Sequence, residues 1–128
     1  MDLFNFSTKN EWDYENGFHI TSNISRLSKI IAHYELYKKI IKLPGDVIEC
    51  GVFKGASLIR FATFRNLLEA DISRKIIGFD VFGSFPSQKN KVDDDYSKYH
   101  NKAAGHGIDK NELYKVLEYK KIDNIELV

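Results

Sequence analysis

Cysteine is nearly absent: Cys50 is the only one in 128 residues, so an intramolecular disulfide is impossible and a thiolate metal cage is excluded. It lies in an apolar run, where a free cysteine is usually a small buried hydrophobe rather than a nucleophile, and packing is its expected role. No stretch approaches the roughly 20 apolar residues of a membrane span. The opening MDLFNFSTKNEW has no basic region leading into an apolar one, so no leader or membrane partner is expected and the chain reads as cytoplasmic. Without a leader, the sequons Asn5-Phe6-Ser7 and Asn23-Ile24-Ser25 are coincidental. An excess of one charge is missing too: 19 Lys and Arg face 18 Asp and Glu, which provides no phosphate-tracking surface and makes nucleic acid an unexpected partner. With 43% hydrophobic and 29% charged residues, and neither repeats nor low complexity, one soluble domain around one core is expected.

Along that domain, short apolar runs alternate with amphipathic ones. Residues 1–20 carry Phe4, Phe6, Trp12, Tyr14 and Phe18 without a period, and read as an arm that packs on its own core or on a second copy rather than as a clamp for a sugar or adenine. The stretch 21–41 begins with the cap-forming Thr21, Ser22 and Asn23 and places Ile24, Leu27, Ile31, Tyr34, Tyr37 and Ile41 at helical spacing. Lys38 and Lys39 suit its C-terminal end, and Leu43-Pro44-Gly45 stops it. DVIECGVF then reads as a strand buried on both faces, ASLIRFATFRNLLEA as a helix and RKIIGFDVF as a second buried strand. Residues 83–107 are polar and lack a sustained period, so they read as loop, with room for a short helix from Tyr96 to Ala104. Asp109 and Glu112 form a capping pattern for the next helix, which ends near Lys120 and Lys121, and NIELV begins a third strand. The expected architecture is α/β, with three parallel strands and flanking helices over residues 21–128.

The chemistry concentrates in VIECGVFKGAS. A strand that ends in a glycine loop and opens a helix presents free backbone N–H groups without a Cβ to hold a ligand away. The phosphate-binding versions of this arrangement do not match: Lys54 precedes Gly55 instead of following it, and G-x-G-x-x-G is absent. The pattern is instead E-x-G-x-x-x-G, from Glu49 to Gly55. An acid at the strand tip repels pyrophosphate but suits S-adenosylmethionine, a sulfonium that carries an ammonium group and no phosphate. Asp80 ends the second strand beside the first, and an ionised carboxylate accepts enough hydrogen bonds to take both ribose hydroxyls.

The pair GDVIECGVFKGAS and RKIIGFDVFGSFP, together with the helix RLSKIIAHYELYK, resembles the macrocin O-methyltransferase (TylF-like) family of class I S-adenosylmethionine-dependent methyltransferases, particularly members that act on deoxysugars. The resemblance runs from about Ser22 to Val128 and implies the N-terminal part of a Rossmann-like methyltransferase fold. It implies that Glu49, Gly51, Val52, Phe53, Gly55 and Ser57 form the cofactor loop, with Glu49, Gly51 and Gly55 toward the methionine and sulfonium. Asp80, Val81 and Phe82 would meet the ribose and adenine, and Thr21, Ser22 and Arg26 the methionine carboxylate. The chain departs from the family in having Gly55-Ala56 where two glycines are common, and FGSFP where an acid often precedes the glycine. By the same resemblance the magnesium-binding acids and the catalytic base lie beyond Val128, so magnesium belongs to a longer form and no catalytic residue is assigned.

His100 and His106 follow Asp93, Asp94 and Asp95, but a six-residue separation is not a recognised ligand spacing, so no metal is assigned. Either histidine has the intrinsic acidity of a general base. The expected function is O-methylation of a sugar-containing small molecule. The alternative is a non-catalytic chain that binds only the nucleoside or a partner. Self-association is expected because the first strand would lack one neighbour.

Overall fold

The computed structural model describes residues 1–86 and 89–128; residues 87 and 88, in the segment expected to be loop, lie outside the described residues. Its centre is a parallel sheet in the order β3 (Val47–Cys50), β4 (Ile76–Phe79), β5 (Ile125–Leu127). Val47 pairs with Ile76 and Ile76 with Ile125. Each strand follows the last in one direction, so right-handed crossovers put the connecting helices on a single face. α3 (Ala56–Leu68) and α5 (Lys110–Tyr119) supply Leu58, Ala62, Leu113 and Leu117, which form the core with Val52, Ile76, Ile108, Ile122 and Leu127. Gly78 allows α3 this close: a Cβ there would stand 2.6 Å from Leu58 Cδ1 and 2.8 Å from Val52 Cγ2.

The expectation that the first two strands are covered on both faces is corrected. Ile48 is 62% and Phe79 40% exposed, and Cys50 is exposed rather than packed. These side chains point away from α3 and α5, and among the described residues no helix covers that face. The open edge of β3 has no strand partner among the described residues.

The N-terminal arm is also more ordered than expected. β1 (Asp2–Leu3) and β2 (Phe6–Ser7) form a hairpin, with Phe4 and Asn5 both at positive φ, as a two-residue turn between twisted strands requires. After a 3-10 turn at Thr8–Asn10, α1 (Glu11–Thr21) buries no residue, which is why it shows no apolar period. α2 (Ile24–Ile40) is capped by Asn23, whose Oδ1 accepts from Ser25 N at 3.0 Å. Only Tyr37 of its apolar series is buried; Ile24, Leu27 and Ile31 remain exposed.

α2 packs on α3 through His33 against Phe61, ring centroids 4.8 Å apart, and Tyr34 against Phe64 at 5.4 Å. The Tyr37 hydroxyl donates to Glu69 Oε2 at 2.6 Å, and the Arg74 guanidinium grips both Glu69 oxygens at 2.9 Å. Burial raises the Tyr37 pKa. The fully buried Arg65 donates to the carbonyls of Arg74, Asp123 and Asn124, which hold the starts of β4 and β5 together.

The polar segment contains a longer helix than expected, α4 (Lys91–Ala104), capped by Asn90 and ended by Gly105 at φ +75. It buries only Ser97, so an apolar stripe was not needed to form it. The Asp109 cap is as expected, with Oδ1 accepting from Asn111 N at 2.8 Å.

Candidate cofactor site

At the tip of β3 the chain turns through Gly51, at φ +88, and Phe53, at φ +56. Asp80 holds this turn. Its Oδ2 accepts from the backbone N–H groups of Val52 at 2.7 Å and Phe53 at 2.8 Å, and its Oδ1 from Phe82 N at 3.0 Å. Burial pushes its pKa up, but hydrogen bonds from the Phe53, Phe82, Val52 and Val81 backbone outweigh burial and hold the carboxyl below its ordinary value. A carboxylate offers about four lone-pair sites. The loop N–H groups take most of these, and a ligand donor would share what remains.

Two cavities flank Gly51 and Phe53, which line both. The larger, about 430 Å³, lies between the N-terminal helices and α3 and is lined by Phe18, Arg26, Lys29, Ile30, Lys54, Ser57 and Arg60 among others. The smaller, about 170 Å³, lies under α4 and is lined by Asp80, Val81, Gly83, Phe85, His100 and Asn101 together with nearby glycines. A Cβ built on Gly51 meets nothing within 4 Å. The positive φ favours glycine there, and the space beside its backbone is free for a ligand.

Glu49 stands at the end of β3 behind this turn. Ser57 Oγ donates to its Oε1, whereas its Oε2 is buried without a hydrogen-bond partner. Burial raises the Glu49 pKa, partly offset by the Ser57 hydrogen bond and by the charges of Lys29 and Arg60. A buried carboxylate oxygen that lacks a partner is suited to a cation. Across the larger cavity, Arg60 Nη1 donates to His33 Nδ1 at 3.1 Å. Burial first, then Arg60 and Lys29, lower the His33 pKa, which keeps its ring nitrogen available as the acceptor that orients Arg60.

The loop and strand tips bring together Glu49, Gly51, Phe53, Ser57, Asp80 and Val81, and α2 adds Arg26. The other expected cofactor residues have different places. Gly55, at φ +82, starts α3 with its α-carbon facing the core, where an added Cβ would stand 2.9 Å from Leu113 Cδ1; it shapes the loop and lines neither cavity. Val52 turns its side chain into the core and contributes backbone to the cavity wall. Phe82 packs against the core edge. Thr21 bonds the Gly17 carbonyl and Ser22 closes α1, so both serve helix ends and line neither cavity.

Sequence reasoning missed Lys29, Lys54 and Arg60 as site residues, because each reads as an ordinary exposed helix or loop charge until the helices are assembled. Phe85 and Asn101 were missed for the same reason. Among the described residues no group of three His, Cys, Asp or Glu could hold a metal ion, so these residues do not fit a magnesium site. No described helix is long and apolar enough to cross a membrane.

A parallel sheet with a glycine turn at one strand tip and an acid at the next is the arrangement of a Rossmann-like α/β fold, and the likeness to a solved structure shows that fold. CalS11, a calicheamicin methyltransferase, aligns with TM-score 0.64 and 22% identity over 96% of this chain and 50% of its own, so this chain spans about half of that protein's length. Residues 23–122 match the macrocin O-methyltransferase (TylF) family, and the chain belongs to that family. A search of curated sequences gives no match.

Proposed function

We propose that this chain forms the donor-binding part of a cytoplasmic S-adenosylmethionine-dependent O-methyltransferase that methylates a hydroxyl of a deoxysugar or another sugar-containing metabolite. The observation that carries the reading is the unpartnered, buried Glu49 Oε2 behind an open glycine turn. The methionine ammonium would sit against Glu49 and its carboxylate among Arg26, Lys29 and Arg60. A ribose hydroxyl would share what remains of the Asp80 acceptor capacity, and the base would extend into the smaller cavity. When bound, S-adenosylmethionine supplies a methyl group activated by the positive sulfur. The chain's own contribution is to hold that donor in one orientation, from which much of the rate of such a transfer derives. The sugar acceptor rests on the family.

Calorimetry with S-adenosylmethionine and S-adenosylhomocysteine tests the reading. Both should bind to the 128-residue chain, and Glu49→Gln should weaken both about 10- to 100-fold, the equivalent of one charged hydrogen bond. Absence of binding by either ligand would remove the function proposed.

A second reading, a chain that binds the nucleoside without transferring methyl, is favoured by the bare sheet face and the open edge of β3. In both readings that edge supports association with a second copy, since unpaired strands template pairing. A methyl-transfer assay with sugar acceptors separates the readings, and light scattering reads the association; a monomer at all concentrations would discard the second copy.

A further inference from the structure

The smaller cavity is lined by His100 and Asn101 of α4 as well as by Asp80 and Val81 of the β4 tip. An apolar stripe does not seat this helix: Ser97 is its one buried residue, and the Ser97 hydroxyl donates to the Asp93 carbonyl of the same helix at 2.8 Å. Two contacts reach α4 from the glycine turn. Phe53 meets the His100 ring edge to face, with centroids 5.4 Å apart. Lys54, the next residue, donates from Nζ to the carbonyl of Ala104, the last residue of α4, at 2.6 Å.

The final carbonyls of a helix have no partner within it and carry its partial negative charge, so an ammonium donor is a favourable cap. The chain leaving α4 then returns to the same turn. Ile108 N donates to the Phe53 carbonyl at 2.8 Å, and Gly107 N to the Gly83 carbonyl at 3.1 Å. The fit is close: a Cβ on Gly107 would stand 3.0 Å from the Gly83 oxygen and 3.2 Å from the Phe53 oxygen. The C-terminal end of α4 is thus fastened to two successive residues of the glycine turn. Lys54 also lines the larger cavity, where its charge alone would mark it as one more partner for an anion; the bond to Ala104 gives it a different task.

We propose that Lys54 is a positioning residue of the donor site, which caps the C-terminal end of α4 and so holds the wall that carries His100 and Asn101 beside the β4 tip. This rests on the donor reading above and adds that the glycine turn shapes the base side of the site through α4, besides meeting the donor directly. A helix of 14 residues has little stability of its own in water. Without the cap α4 is undocked and frayed more of the time, and a ligand that needs the docked wall binds in proportion to the docked fraction.

Hydrogen exchange and calorimetry on the 128-residue chain test this with Lys54→Met, which keeps the aliphatic stem, and Lys54→Arg, which keeps a donor. In the ligand-free protein Lys54→Met should speed exchange of the α4 amides about three- to tenfold, the value of one exposed hydrogen bond. Exchange in α3 and α5 should not change, which guards against general unfolding, and Lys54→Arg should retain most of the protection. S-adenosylhomocysteine and 5′-methylthioadenosine, which has the same base and ribose but no amino-acid end, should both bind Lys54→Met more weakly and by the same factor. A loss confined to S-adenosylhomocysteine would make Lys54 a partner of the carboxylate and overturn the proposal. Wild-type exchange in α4 of Lys54→Met, or undiminished affinity for both compounds, would overturn it too. A wild type that binds S-adenosylhomocysteine but not 5′-methylthioadenosine would show that the base side contributes little, with the same consequence. Each of these outcomes leaves the donor reading standing, whereas failure of the wild type to bind either compound discards that reading and the role of Lys54 in it.

Discussion

Replacing Asp80 by asparagine isolates the electrostatic clamp on the glycine turn from the shape of the side chain. The carboxylate accepts three backbone hydrogen bonds, at 2.7, 2.8 and 3.0 Å. An amide can satisfy two of those donors with its single oxygen, but its NH2 group then faces the Phe82 N–H, donor against donor. Bonds to a charged acceptor are worth about 1.5–3 kcal/mol each and neutral ones about 0.5–1.5. The gross loss is therefore several kcal/mol, and solvent access to the half-buried carboxylate reduces the expected cost to about 2 kcal/mol. For a domain of this size that corresponds to a fall of about 6–10 °C in melting temperature.

The pH dependence provides a second reading of the same clamp. The native Asp80 pKa is depressed, so its stabilisation is complete above the unfolded value of about 3.9 and is lost as pH falls through the native value. The gap between wild type and Asp80→Asn should therefore be full at pH 7 and shrink below about pH 4. Thermal denaturation followed by circular dichroism at both pH values checks this. Equal melting temperatures at neutral pH, or a gap that does not change on acidification, would refute the clamp.

Gly55→Ala should cost about 2 kcal/mol or more, from the left-handed backbone and the contact with Leu113 Cδ1, while the molecules that remain folded bind the nucleoside as before; a selective loss of binding would return Gly55 to the ligand. Cys50→Ser should change stability by no more than about 0.5 kcal/mol, as at other exposed positions, and the native thiol should react readily with a disulfide reagent, whereas slow labelling and a large destabilisation would indicate burial.

Much of the central fold was legible because its local signals are strong and agree. Apolar runs bounded by Pro44-Gly45 and by the glycine turn could only be strands, and Asp109 marked its helix by a cap that forms as expected. The glycine turn and Asp80 were legible as a pair because the parallel order places consecutive strand tips side by side. α1 and α4 were not legible, since both are solvent-facing helices whose formation does not depend on a buried stripe.

What the sequence determined by itself was local: which segments form strands, where caps and turns fall, and which residue types stand at the strand tips. Tertiary structure decided the rest. Both crossovers share one face, which leaves Ile48, Cys50 and Phe79 bare although their sequence context resembles a core. Gly55 became a packing position because Leu113, 58 residues later, closes over it. Asp80 became a clamp because three N–H groups from two loops converge on it, and Arg26, Lys29 and Arg60 became one cationic wall only when α2 packed on α3. Local pattern records propensity, whereas these roles depend on contacts between residues far apart in the chain, whose partners no local window contains.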